Sequence, residues 1–136
     1  MTAVRRLVTF VDVDDQAAET VTVSARHEAE LLDGTRVLLL DDRGWSSSQR
    51  WAATSASEMQ ETARVVVGPD EPFSGRSAQD MEADHWAALQ QIAQRQGVTA
   101  DAAELRRLPH DVVLSRQVLT RIGGTPDTGP TTGENV

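Results

Sequence analysis

The chain has 136 residues, a common length for one domain, and is 39% hydrophobic and 25% charged, which excludes wholesale disorder. It contains no cysteine, so disulfides, thiolate metal sites and cysteine nucleophiles are excluded. The formal net charge of -8 repels both phosphate backbones and anionic lipid. We therefore expect no nucleic-acid partner and no membrane partner.

The apolar segments are short. None approaches the ~20 residues that a membrane-spanning helix needs. The apolar run behind Arg5 and Arg6 is interrupted at Asp12, which is not typical of a signal peptide. These features predict a cytoplasmic protein.

The N-terminal third reads as strands. Val4–Val13 is rich in β-branched residues and predicts a first strand. Apolar and polar residues alternate through Thr20–Leu32, as in an antiparallel strand with one buried face. Asp33-Gly34 then predicts a tight two-residue turn into a third strand, Thr35–Asp41.

That turn predicts a register for the hairpin. If Leu32 pairs with Thr35, His27 lies opposite Leu40. The same count places Ala29 opposite Leu38, and Arg26 beside Asp41 as an exposed ion pair.

The later segments read mostly as helices. A loop at 44–48 and a short fourth strand at 49–53 are expected first. Ser55 and Glu58 form the pattern of a capping box for a helix ending near Gly68, although valines leave a strand open as an alternative at 62–67. Three further helices are predicted, starting at Ser77, at Thr99 or Asp101, and at Pro109, and reaching Gly97, Leu108 and Ile122.

Strands followed by helices predict an α+β fold. The expected architecture is a three- to four-stranded antiparallel meander in the N-terminal half, covered on one face by three or four C-terminal helices. Residues 1–122 form this single domain, and 123–136, rich in Gly, Pro and Thr, are predicted to be a disordered tail.

Three polar residues occupy faces that should be packed. On a helical wheel His85 and Glu82 fall within the apolar arc of the Ser77 helix, and His27 lies in the apolar row of the second strand. If that helix covers that row, the three side chains converge. Two imidazoles and a carboxylate can bind a metal with open positions, and a carboxylate-oriented histidine can act as a general base. The alternative is that both histidines are hydrogen-bonded core residues.

Two tryptophans and a third histidine complete the candidates. Trp45 and Trp51 are candidates for contacting a partner, since tryptophan is favoured at binding hot spots, but tryptophan also closes the edge of small cores. His110 follows Pro109 and is expected to be exposed at a helix start.

The main functional expectation is a small acidic accessory protein that binds a protein partner or itself. It would have neither catalytic activity nor a cofactor, because no nucleophile elbow, phosphate loop or repeated ligand motif occurs. The alternative is a small-molecule or metal-dependent site built from His27, Glu82 and His85.

Overall fold

The computed structural model describes residues 3–72 and 74–122 as an α+β fold, as predicted. The predicted tail at 123–136 lies outside these residues. The elements are, in chain order, β1 (Val4–Val13), β2 (Thr20–Leu31), β3 (Arg36–Arg50), a 3-10 turn (Trp51–Ala53), α1 (Ala56–Val66), α2 (Ala78–Arg95), α3 (Ala102–Arg107), β4 (His110–Leu114) and α4 (Arg116–Arg121).

The sheet is mixed, with strand order β3-β2-β1-β4. The first three strands form the predicted antiparallel meander, but β4 pairs parallel to β1. The prediction of a wholly antiparallel sheet is therefore wrong in this respect. The helix predicted from Pro109 is wrong in its first half, because Val112 and Val113 are β-branched residues that are buried on opposite faces of β4, a strand at the edge of the sheet.

The third strand is longer than predicted and includes the segment expected to be a loop. Gly44 makes this continuation possible. A Cβ at this position would lie 2.5 Å from the carbonyl oxygen of Val23, so a side chain there would block the approach of β3 to β2. The strand expected at 49–53 is instead the end of β3 followed by the 3-10 turn.

The β2–β3 turn has three loop residues rather than two. The N–H of Gly34, at φ +89, donates to the Leu31 carbonyl, and the Leu31 N–H donates to the Thr35 carbonyl. This is the three-residue loop that ends with a left-handed glycine. Pairing near the turn is consequently shifted by one residue from the prediction, with Ala29 opposite Val37.

The β2–β3 pairing is irregular on both sides of His27, and this restores the predicted register at that residue. His27 lies opposite Leu40, as predicted. Arg26 forms its ion pair with Glu28 rather than with Asp41.

Three of the four predicted helix starts are confirmed by side-chain caps. Complete capping boxes join Ser55 to Glu58 and Ser77 to Asp80. Asp101, rather than Thr99, caps α3 by accepting the Glu104 N–H at 2.7 Å. Residues 62–66 belong to α1, which resolves the helix-or-strand alternative there in favour of the helix.

Two hydrophobic clusters lie on one face of the sheet. One packs β1 and β2 residues such as Val11 and Val23 against α1, α4 and Val112. The other packs Leu7 and Ala29 against α2 and α3. Because side chains alternate along β1, Thr9 lies on this same face between the two clusters. Within the described residues, none of the helices combines the length and the apolarity needed to cross a membrane.

Candidate functional site: a pocket lined by three histidines

Thr9 and His27 form the buried centre of the site. They face each other across the β1–β2 pair, with Thr9 0% and His27 1% exposed. The Thr9 hydroxyl oxygen lies 2.9 Å from Nδ1 of His27. The alternation of β2 placed His27 on this face correctly, and the hydrogen bond removes the cost of burying an unpaired ring nitrogen.

His110 reaches the same hydroxyl from the other side. Parallel pairing of β4 places His110 opposite Leu7, and its Nε2 lies 2.7 Å from Oγ1 of Thr9. The rings of His27 and His110 are 5.0 Å apart and inclined at 66°. The expectation that His110 is exposed is wrong, because a strand directs this side chain onto the helix-covered face.

One hydroxyl proton fixes the relation between these two rings. Thr9 can donate that proton to only one histidine nitrogen, so the other ring must donate its own N–H to Oγ1 while both rings are neutral. The two imidazoles are therefore in the same tautomer, either both protonated at Nε2 or both protonated at Nδ1. Whichever arrangement is present, one of the two remaining ring nitrogens is a donor and the other an acceptor.

Burial keeps these histidines neutral. Desolvation, followed by the positive potential of His110, His85 and Arg43, lowers the pKa of His27 to about 3. Desolvation, followed by Arg64, lowers the pKa of His110 to about 4. Both are uncharged at neutral pH.

Helix α2 contributes the third histidine. His85 is half-buried, and its ring contacts Trp86 with centroids 4.9 Å apart. Desolvation, together with Arg43, lowers its pKa despite opposing effects of Asp70 and Glu82. The sequence placed His85 on the side of its helix that meets the sheet, and the structure agrees, although the residue is less buried than predicted.

The three histidines line one cavity of about 210 Å³. Its other polar lining residues are Arg64 and Arg106. Its apolar walls come from the sheet and from the segments that cover it, and are formed by Leu7, Val67, Pro69, Trp86 and Leu108. His27 and His85 thus line the same cavity.

Glu82, the third predicted member, does not join them. Its carboxylate forms an ion pair with Arg106 and is not among the lining residues. Residues 3–72 and 74–122 contain no group of three His, Cys, Asp or Glu side chains arranged to hold a metal. The metal form of the predicted site therefore has no support from the geometry.

Arg64 differs from Arg106 in having no carboxylate partner. Its guanidinium donates a 3.5 Å hydrogen bond to the His110 carbonyl. In the described part of the chain, no acidic side chain lies within ion-pair distance of it. Among residues 3–72 and 74–122, the pocket therefore has one positive charge without a carboxylate counter-ion.

The C-terminal end of α1 borders the pocket, and its exposed carbonyls could offset that charge. Most of them are occupied. The carbonyls of Ala63 and Val65 accept backbone N–H groups of Val67 and Gly68. Nη1 of Arg43 donates to the Val66 carbonyl at 3.1 Å.

Trp86 adds an unused donor. Its indole Nε1 is buried and has no hydrogen-bond partner among the residues described. Buried indole N–H groups usually find one, so this atom carries a cost that a bound acceptor would relieve.

The two tryptophans predicted to contact a partner lie elsewhere. Trp51 is buried in the first cluster, and its indole N–H donates to the Ala18 carbonyl at 3.2 Å. Trp45, on β3, is half-buried against the same cluster and lines a separate cavity of about 160 Å³ with Met59 and Thr62. Trp51 thus has the core-edge role that was the alternative.

Sequence reasoning missed Thr9, His110, Arg64 and Trp86 as site residues. Thr9 had a usable signal, since it is the polar residue in the apolar row between Leu7 and Val11. His110 had one in the β-branched pair that follows it. Arg64 lies on an exposed helical position and gave no signal.

Comparison of the chain with protein-family models, with curated proteins and with solved structures gives no match. The function is therefore argued from the residues of the pocket.

Proposed function

We propose that this protein binds a small molecule in the pocket formed by His27, His85 and His110. The observation that carries the proposal is the convergence of these three imidazoles, from β2, α2 and β4, on one cavity. Concave, largely apolar sites with a few convergent polar groups are the usual form of ligand pockets.

The cost of this arrangement supports a role beyond folding. Filling the same space with apolar side chains would avoid the burial of the His27 imidazole, the Thr9 hydroxyl and an unpaired indole N–H. Clusters of titratable groups with lowered pKa values at a cavity are typical of functional sites.

The cavity limits the size of the ligand. At about 210 Å³ it is smaller than the roughly 300–1,000 Å³ of pockets for drug-sized molecules. A metabolite with a short apolar body fits this volume. The proposal is a form of the small-molecule alternative predicted from the sequence. In it, His110 and its hydrogen-bond partner Thr9 take the place of Glu82 in the predicted group of site residues.

A fragment screen tests the proposal. The indole N–H signals of Trp45, Trp51 and Trp86, assigned with single Trp→Phe variants, are recorded while fragments of about ten non-hydrogen atoms are added. We expect some fragments to shift the Trp86 signal and leave the Trp51 signal in place, because the Trp51 indole is bonded within the core.

Two matched variants give the control. Leu108→Phe narrows the pocket, whereas Leu119→Phe enlarges a leucine packed against the other cluster. Fragment binding should be lost in the first and kept in the second. The proposal is wrong if no fragment shifts Trp86, or if both variants bind equally well.

The expectation of a protein partner or of a homodimer stays a prediction. Trp51, one of the two residues that suggested it, is buried in the core.

A further inference from the structure

We infer that the ligand of the histidine pocket is a small organic carboxylate, held by the unpaired guanidinium of Arg64 and by neutral donors around it. This inference rests on the proposed binding function and names the chemical class of its ligand. Its first support is the sign of the charges. The chain as a whole carries -8, yet the described residues that line the cavity include two arginines and no Asp or Glu.

Arg64 is the group best placed to select charge. Arg106 already has Glu82 as its counter-ion, so its charge is largely balanced. Arg64 has only the long contact to the His110 carbonyl. A guanidinium with free N–H groups matches the two oxygens of a carboxylate, and the hydrogen bonds so formed are charge-assisted.

The donor inventory of the cavity points the same way. Arginine and indole groups can only donate, and of the two it is the buried indole N–H of Trp86 that has no acceptor among the described residues. A carboxylate accepts at both oxygens and donates from neither. The histidines can contribute to it, because one of the two ring nitrogens that Thr9 leaves free on His27 and His110 is an N–H donor.

Other ligand classes fit less well. An organic cation would meet Arg64 without any carboxylate on the cavity wall. A metal ion would compete with Thr9 for one nitrogen of His27 and one of His110. Inorganic phosphate would leave the walls of Leu7, Val67 and Leu108 without an apolar partner.

Three probes of one shape test the inference. Isobutyrate, isobutyramide and isobutyramidinium share an apolar body and differ in having an anionic, a neutral or a cationic head. Each is titrated at pH 7.5 and constant ionic strength while the Trp86 indole signal is followed. We expect isobutyrate to bind about tenfold more tightly than the amide, since hydrogen bonds to a charged group are stronger, and the amidinium not to bind.

Two arginine variants then locate the selectivity. Arg64→Gln should lower the affinity for isobutyrate much more than that for the amide, so that the two affinities become similar. Arg107→Gln is the matched control, because Arg107 is equally exposed on α3 but does not line the cavity. Both changes are at exposed helical positions, so both variants should fold.

The outcomes separate this inference from the binding function. If the amide or the amidinium binds as tightly as isobutyrate, or if Arg64→Gln has no effect, the carboxylate assignment is overturned and the pocket remains a binding site. Phosphate binding that exceeds isobutyrate binding also overturns it, as does a failure of all three probes while other fragments bind. The binding function itself is refuted by the absence of any fragment at the pocket, or by equal binding in Leu108→Phe and Leu119→Phe.

Discussion

The two faces of the same strands bury their polar groups in opposite ways. On the helix-covered face, His27 is linked through Thr9 to His110, and both rings are neutral. On the other face, which we call the charged face, the neighbouring β2 residues Glu28 and Glu30 are held by arginines. Successive residues of one strand therefore use either neutral hydrogen bonds or ion pairs.

The charged face keeps its ions partly in contact with water. Arg6 donates from Nε and Nη2 to the two oxygens of Glu30, at 2.9 and 3.1 Å, and from Nη1 to Asp111 at 2.6 Å. The hydrogen bonds from Arg6 lower the pKa of Glu30. The side chains of Arg26 and Arg36, which pair with Glu28, are 62% and 47% exposed.

Desolvation explains the difference. A charge that keeps some water needs only a modest attraction to remain ionised, whereas a fully buried one must recover several kcal/mol from its partners. Under the helices, proton loss removes that cost, and neutral imidazoles then need only hydrogen bonds. The strands thus carry neutral hydrogen-bonded groups on the face that the helices cover, and ion pairs on the other face.

Mild acid should break this arrangement on the helix-covered face first. An unfolded histidine binds a proton below about pH 6.5, whereas folded His27 does so only near 3. The unfolded state therefore gains protons first, and stability falls as the pH falls through this window. Between pH 7.5 and 4.5 we expect a loss of about 2.5 kcal/mol from His27, measured by urea unfolding.

His110 acts with the same sign over nearly the same window, because its pKa is also lowered, to about 4. The control is His27→Gln, whose stability should depend less steeply on pH, since the variant lacks that proton difference. The ordinary pKa of a glutamate lies at the lower limit of this pH window, and the pKa of Glu30 is lowered further. The effect of Glu30 on stability therefore appears mainly below pH 4.5. A flat stability profile from pH 7.5 to 4.5 would contradict the neutral burial of His27.

Removal of the Thr9 hydroxyl should give the next largest effect. Thr9→Val keeps the shape and leaves Nδ1 of His27 and Nε2 of His110 without their partner. We expect a loss of about 2 kcal/mol at pH 7.5, because a buried group without a hydrogen bond has lost its water and gained nothing. The measurement is the free energy of unfolding in urea.

Thr22→Val is the matched substitution on β2, at a half-buried position on the charged face. It should change stability much less. Equal losses in both variants would show that the Thr9 bridge adds nothing beyond the general cost of the substitution.

The smallest losses of stability are expected for the ion pairs of the charged face, and the loss should be larger where the paired side chains are more buried. Arg6→Gln removes the bidentate partner of Glu30, a side chain that is only 12% exposed. We expect a loss of about 1 kcal/mol, together with a rise in the pKa of Glu30 towards its usual value, followed by NMR titration.

Arg26→Gln is the comparison on the same face. Arg26 is largely exposed, and Glu28 keeps Arg36 as a second partner, so a loss of about 0.3 kcal/mol is expected. If Arg26→Gln costs as much as Arg6→Gln, exposure does not control the value of these ion pairs.

Local patterns predicted much of the fold. The alternation in β2 identified the face on which His27 lies, and the Ser55, Ser77 and Asp101 caps identified three helix starts. Such signals work because they depend on residues within one turn or one strand. The helical wheel likewise placed His85 on the sheet side of α2. It also placed Glu82 there, but the Glu82 carboxylate forms an ion pair with Arg106 instead.

The rest was decided by contacts between distant segments. A proline followed by polar and β-branched residues is compatible with a helix start or with a strand, and only the vacant edge of β1 made 110–114 a strand. That pairing brought His110 to Thr9 and so created the pocket. By itself, the sequence determined which residues could be buried and where the helices begin. The tertiary structure decided which buried groups meet. Parallel pairing joins strands that are far apart in the chain, and no pattern of neighbouring residues in either strand identifies its partner.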